Sequence, residues 1–214
     1  MTPESRKPTL DTRRQAPAHP KAVWGARITI VLAVLSLAAL VAMAGCSEAI
    51  RSGQSPSYLI LQTMTGGPSN ASVVQSDVVS DSGSVFQDGG TATIQVALKD
   101  PQGSTPTNVN AITITQYHVE YTRSDGRNVQ GVDVPFAFDG GMTATIPAGG
   151  SASVPFTLVR IQAKLEAPLK ALAGHRGQEV ISTIAKVTFF GHDQNGRGIS
   201  VSGNIEVDFA DWAG

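Results

Sequence analysis

The chain has 214 residues and a formal net charge of −1, a near-neutral total that hides two unlike parts. Residues 1–27 carry Arg6, Lys7, Arg13, Arg14, Lys21 and Arg27 against Glu4 and Asp11, a net +4, whereas the chain from Cys46 onward is net −5. An acidic body with scattered positive charge excludes the clustered Lys/Arg footprint of a nucleic-acid binder, and a single cysteine excludes a disulfide framework.

From Ile28 to Ala44 the sequence reads "ITIVLAVLSLAALVAMA", with no charge and only Thr29 and Ser36 polar. As a helix it would span about 25 Å, just short of the roughly 30 Å hydrocarbon core of a bilayer. A basic stretch, an apolar run and small residues at its end predict a secretory signal. The signal peptide is placed at 1–45, with a basic n-region over 1–27 and an apolar h-region over 28–44. Arg13-Arg14 lies too far before the apolar run to read as a twin-arginine signal.

The run ends in Met43-Ala44-Gly45-Cys46, and Cys46 is the only cysteine. These four residues resemble the lipobox of bacterial lipoproteins, with Met43 where leucine is more usual. The resemblance implies that the Cys46 thiol becomes a thioether to diacylglycerol. It also implies cleavage between Gly45 and Cys46, where small side chains leave the peptide bond accessible. Two or more acyl chains then hold the protein stably on the bilayer. Ser47 is not the aspartate that retains some lipoproteins at the inner membrane, so the outer membrane, facing the periplasm, is favoured. The alternative is an uncleaved signal anchor in the inner membrane with a periplasmic domain. Residues 47–56, "SEAIRSGQSP", form a polar tether that reaches at most about 35 Å.

Residues 57–214 are read as one domain, dominated by strict alternation of apolar and polar residues. Ala92, Ile94, Val96 and Leu98 make one strand face. Ile112 and Ile114 are out of phase with Tyr117, Val119 and Tyr121, which predicts a bulge near Thr115–Gln116. Val132, Val134, Phe136 and Phe138 alternate around Asp133. In the last strand Ile199, Val201, Ile205, Val207 and Phe209 face one way. Such patterning marks half-buried antiparallel strands. "SDGR" (124–127) and "DQNG" (193–196) supply hairpin turns, and the "DGG" pairs at 88–90 and 139–141 read as turns preceding strands. Only "AKLEAPLKALAG" (163–174) has helical spacing, interrupted by Pro168 and stopped at Gly174.

Eight or nine antiparallel strands with one short helical crossover predict an all-β, Greek-key, immunoglobulin-like β-sandwich, with a small β-barrel as the alternative. The last three elements resemble the E, F and G strands of immunoglobulin-like domains, with the helix crossing from E to F. The whole chain resembles uncharacterised bacterial lipoproteins with an immunoglobulin-like body, a group that implies no catalytic residue, cofactor or metal.

The residues themselves point the same way. His118, His175 and His192 lack metal-ligand spacing. The serines of "SDSGS" (80–84) lie in a loop, outside any nucleophile-elbow motif. "DQNG" has oxygen donors but not the rest of a calcium loop. Glu206 and Asp208 share a strand face at about 7 Å, which reads as a solvated acidic surface. "IPAGGSASVPF" (146–156) lies between strands and does not open a helix, as a phosphate loop must. Trp212 either closes the end of the sandwich or contacts a partner. The sequence therefore predicts a membrane-anchored, non-enzymatic accessory or protein-binding module of the cell envelope, its expected partner the lipid bilayer through Cys46. The alternative is a small-ligand, glycan or calcium-binding domain that uses loops at one end.

Overall fold

The computed structural model describes residues 55–100, 102 and 105–212. Gly45, Cys46 and the apolar run lie outside the described residues. Eight strands build the body: β1 (Ser57–Gly66), β2 (Val73–Asp77), β3 (Asp88–Leu98), β4 (Ile112–Thr122), β5 (Phe138–Ile146), β6 (Ser151–Val159), β7 (Ile181–Asp193) and β8 (Gly198–Ala210). They form two sheets, in the orders β1-β3-β6 and β2-β8-β7-β4-β5. Inward residues of both sheets, among them Ile94, Val96, Ile114, Val154 and Val187, make a single buried core. The fold is thus an all-β sandwich, and the two sheets stay separate instead of closing into one barrel ladder. Strands β1, β3 and β6 take the places of A, B and E, and β5-β4-β7-β8 those of C′-C-F-G.

The expected bulge is present: both ladders of β4 shift register between Ile114 and Gln116. The crossover between β6 and β7 is broken where Pro168 removes a donor. A short helix, α1 (Ile161–Leu165), precedes it, and a single 3-10 turn, Leu169–Leu172, follows. Leu169 and Leu172 are buried, so this segment contributes to the core despite its length.

Three expectations change. First, the pairing is not antiparallel throughout, because β2 runs parallel to β8 from Val73↔Glu206 to Asp77↔Ala210. After β1 the chain makes a small loop over 67–72, closed by a Gly66–Ala71 bridge, and resumes the direction of β1 on the edge of the other sheet, alongside β8. Gly66 is bare of necessity, since a Cβ there would lie 2.7 Å from Val74 Cγ2.

Second, Val132, Val134 and Phe136 do not extend β5. Residues 131–133 form a turn between the bridged Gln130 and Val134, with the N–H groups of Val132 and Asp133 both donating to Val129 O. Val134 and Phe138 are buried while Val132 and Phe136 are exposed, so only every second apolar residue turns inward. Third, the two "DGG" segments lie inside β3 and β5, not in turns. Their glycines accommodate rings: a Cβ on Gly90 would meet Phe156 at 2.4 Å, and one on Gly140 would meet Tyr117 at 2.1 Å. Gly203 in β8 plays the same part for Leu61 of β1, whose Cδ2 would lie 2.1 Å from a Cβ.

The last hairpin has the expected register. The "DQNG" turn pairs Phe189 with Val201 and Ala185 with Ile205. Ile205, Val207, Val187 and Phe189 are buried, and Asn204 is exposed. Ile205→Asp would bury an unpaired carboxylate and is expected to destabilise by about 3 kcal/mol or more. Asn204→Asp, one residue away on the solvent face, is expected to stay within about 0.5 kcal/mol. Urea unfolding of the two variants checks this, and equal losses would mean that the strand faces are misassigned.

Candidate functional site

Strand direction sorts the loops into two ends. β1 starts at Ser57 beside loops 99–111, 147–150 and 194–197, tied there by Ser57 Oγ donating to Asn110 O at 3.3 Å and by Gln194 Nε2 donating to Ala111 O. The opposite end gathers loops 78–87 and 123–137, the crossover at 160–180 and the last described residues. Most of the charged and apolar groups that could act lie at this crossover end.

Beneath the crossover, α1 inserts Lys164 into the body, its side chain 1% exposed. Its Nζ lies 2.9 Å from Asp88 Oδ2 and donates to Asp77 O at 2.7 Å. Ser76 Oγ donates to the same Asp88 oxygen at 2.5 Å. A buried ammonium is tolerated only with such partners. Lys164 therefore ties α1 to β2 and β3 at once. Sequence reasoning missed this cluster, because Lys164 sits in a leucine-spaced segment where lysine is ordinarily solvated.

Asp77 makes a second tie, its Oδ1 accepting the Trp212 backbone N–H at 3.1 Å. Burial holds the Asp77 carboxyl above its ordinary range, outweighing the Trp212 and Val79 N–H groups that favour the anion. Asp211 accepts from Gly174 N–H at 2.6 Å, joining the chain end to the crossover. Trp212 is half-buried at this end of the sandwich.

The β4–β5 loop is held rigid by its own side chains. Asp125 receives Arg123 Nε at 3.1 Å and Arg127 Nε at 3.0 Å. The Arg123 hydrogen bonds are the largest reason that its carboxyl stays well below the usual range. Asn128 Oδ1 accepts from Arg123 N–H, Asp133 Oδ2 from Val129 N–H, and Gln130 Oε1 from Ala137 N–H. On this frame Val129 and Val132 project outward, 60% and 66% exposed, beside the exposed Phe136. The Arg160 guanidinium lies 4.3 Å above the Phe138 ring and joins the base of the loop to the crossover.

The three described histidines stay apart. His118 Nδ1 lies 2.8 Å from Asp139 Oδ1 on the outer face of the five-stranded sheet. His175 pairs with Glu179 in the crossover at 3.1 Å, and His192 Nδ1 lies 3.0 Å from Asp193 O. Among the described residues no group of three or more His, Cys, Asp or Glu is placed to hold a metal ion. In the "DQNG" turn, Asp193 Oδ1 accepts the N–H groups of Asn195 and Arg197, each at 2.9 Å, which is the work of a turn-forming aspartate. Glu206 and Asp208 share the outer face of β8, as the alternation predicts. The serines at 80–84 hydrogen-bond among themselves within their loop. Among the described residues no helix is long and apolar enough to cross a membrane.

No protein-family profile and no curated protein matches the chain. Among solved structures, the Northeast Structural Genomics Consortium target SoR45 is similar at 12% identity and a TM-score of 0.32, covering 72% of this chain and 86% of that one. A structural-genomics target from Bordetella pertussis designated ApaA is similar at 17% identity and a TM-score of 0.30, covering 73% of this chain and 95% of that one. At these values neither likeness bears on function.

Lys164→Met keeps an apolar stem and leaves the Asp88 carboxylate without its cation. It is expected to cost about 3 kcal/mol in chemical unfolding, of which Asp88→Asn on the same chain should recover part. A second expectation concerns Asp139, whose carboxyl is held below the ordinary 3.8 chiefly by the His118 hydrogen bond. A depressed folded value means that the pair's contribution is present above the ordinary carboxylate range and lost as the pH falls through the folded value. His118→Ala should move the Asp139 midpoint upward in a carboxyl NMR titration, and an unmoved midpoint would dissociate the two groups.

Proposed function

We propose that the chain is a lipid-anchored protein of the bacterial cell envelope whose β-sandwich is a non-enzymatic accessory or protein-binding module. The observation that carries this reading is the placement of the only cysteine, Cys46, directly after Met43-Ala44-Gly45 at the end of an uncharged apolar run. In this reading Cys46 is acylated, 1–45 is removed, and ten tether residues separate the lipid from β1. The bilayer would be the outer membrane, with the body facing the periplasm.

The body fits such a role in its polarity. The loop with Val129, Val132 and Phe136 sits at the end of the sandwich opposite Ser57, where β1 begins. A preorganised apolar loop costs little ordering entropy when a partner covers it, which suits a contact surface. The test is metabolic labelling with a fatty-acid analogue. The wild-type chain should take up label and begin at Cys46, whereas Cys46→Ser should keep its leader and remain unlabelled. Unlabelled wild-type protein, or a mature N-terminus elsewhere, overturns the reading.

A further inference from the structure

The outward face of the three-stranded sheet differs from the rest of the surface in one respect: it has no charge. Within residues 57–66, 89–98 and 151–159 there is no Asp, Glu, Lys, Arg or His. Asp88, the first residue of β3, is held by Lys164. The other sheet's outer face, by contrast, carries His118, Glu120, Asp139, Lys186 and Glu206. Strand register arranges the uncharged face in rows. Thr63, Thr93 and Ser153 lie side by side, and the next row is Thr65, Thr91 and Pro155. Thr93 and Ser153 hydroxyls meet at 3.4 Å, and Gln62 Nε2 donates to Gln95 Oε1 at 2.9 Å.

Each end of this hydroxyl and amide field has an exposed aromatic ring. Tyr58, 43% exposed, stands at the tether end and Phe86, 63% exposed, at the crossover end. Phe86 borders a groove of about 560 Å³ that Pro68, Asn70, Gln87, Thr91 and Pro155 also line, and whose one charged lining residue, Asp88, is neutralised by Lys164. Gly89 opens onto it with no atom nearer than 3.8 Å to its missing Cβ, so this part of the strand is bare backbone. From Gly89 to Ala97, which pairs with Tyr58, the face runs about 27 Å along β3.

We propose that this face binds a neutral polysaccharide, laid along β3 with one sugar ring against Phe86 in the groove. Hydroxyls and amides both donate and accept, as sugar hydroxyls do, so each can replace the other's water. Aromatic rings present an apolar plane to the C–H face of a pyranose. A charged ligand would be desolvated on this face without a counter-charge, which selects against acidic polymers, and a protein surface brings similar charges with it. The inference is independent of acylation at Cys46, since an unlabelled chain could bind and a labelled one could fail to.

The test uses the full-length 15N-labelled chain in a sugar-free detergent, titrated with cellohexaose and with chitohexaose. One of them is expected to shift amide signals of β1, β3 and β6 and leave those of β7 and β8 in place. Phe86→Ala should weaken that binding about tenfold, and Ser153→Glu should weaken it further. Ser202→Glu, on the other sheet's outer face, should leave it unchanged. Shifts with neither oligosaccharide, shifts centred on the five-stranded sheet, full affinity in Phe86→Ala, or equal binding of heparin would each overturn the proposal.

Discussion

The sandwich depends on how β4 reaches across the core to β6. Tyr117 and Tyr121 lie four residues apart on the inner face of β4, and both hydroxyls end on the backbone of the opposite sheet. Tyr121 donates to Leu158 O at 2.5 Å, and Thr157 N–H donates to the Tyr117 oxygen at 3.1 Å. These backbone groups sit where the β3–β6 register shifts, Asp88 facing Val159 and Gly89 facing Thr157, with Leu158 left out of the ladder. The tyrosines thus satisfy polar groups that the bulge would otherwise bury unpaired. Their rings then organise the aromatic core. Tyr117 meets Phe156 edge-on at 5.8 Å and Phe138 at 6.3 Å, and Tyr121 meets Phe209 at 5.8 Å. Apolar contacts alone are non-directional, whereas two hydroxyl bonds fix where one sheet stands on the other. Burial, with the charge of Asp88 nearby, pushes the Tyr121 phenol well above its ordinary range, so it remains a donor at any ordinary pH.

Asp88 links this crossing to the crossover end of the molecule. It takes the charge of Lys164 and the hydroxyl of Ser76, and it begins the strand whose bulged partner the tyrosines hold. Burying such a pair adds little net stability compared with apolar residues of the same size. Its effect is to select one docking of α1 among many that the leucines alone would permit. With no second cysteine in the chain, fixed polar contacts of this kind set the docking without a disulfide.

What could be read from the sequence follows from which faces are buried on one side only. β8 was legible because Ile205, Val207 and Phe209 are buried while Ser200, Ser202, Asn204 and Glu206 are not. The bulge in β4 was legible because Ile114 and Tyr117 can share one face of a strand only if an extra residue is inserted between them. β2 was not, since five residues paired in parallel at an edge leave no alternation long enough to stand out. Residues 132–138 misled for a different reason. Alternation of apolar residues reports period but not exposure, and half of them are held outward by a loop built on Asp125, Asn128 and Asp133. The paired glycines misled because glycine marks turns by its freedom and strands by its smallness, and here the second applies. Lys164 and the uncharged sheet face are products of register and packing, which bring together residues from segments far apart in sequence.

The seating of Leu61 against bare Gly203 has a mechanical consequence. β1 is the strand through which the body is joined to everything before it, and nine of its residues pair with β3. A pull at Ser57 along the strand axis loads those hydrogen bonds together, in shear, and must also lift the Leu61 side chain out of the hollow that Gly203 leaves in β8. A pull across the strand would open the same bonds one at a time. The domain should therefore withstand lengthwise tension from its attached end far better than sideways peeling, with Leu61 acting as the catch.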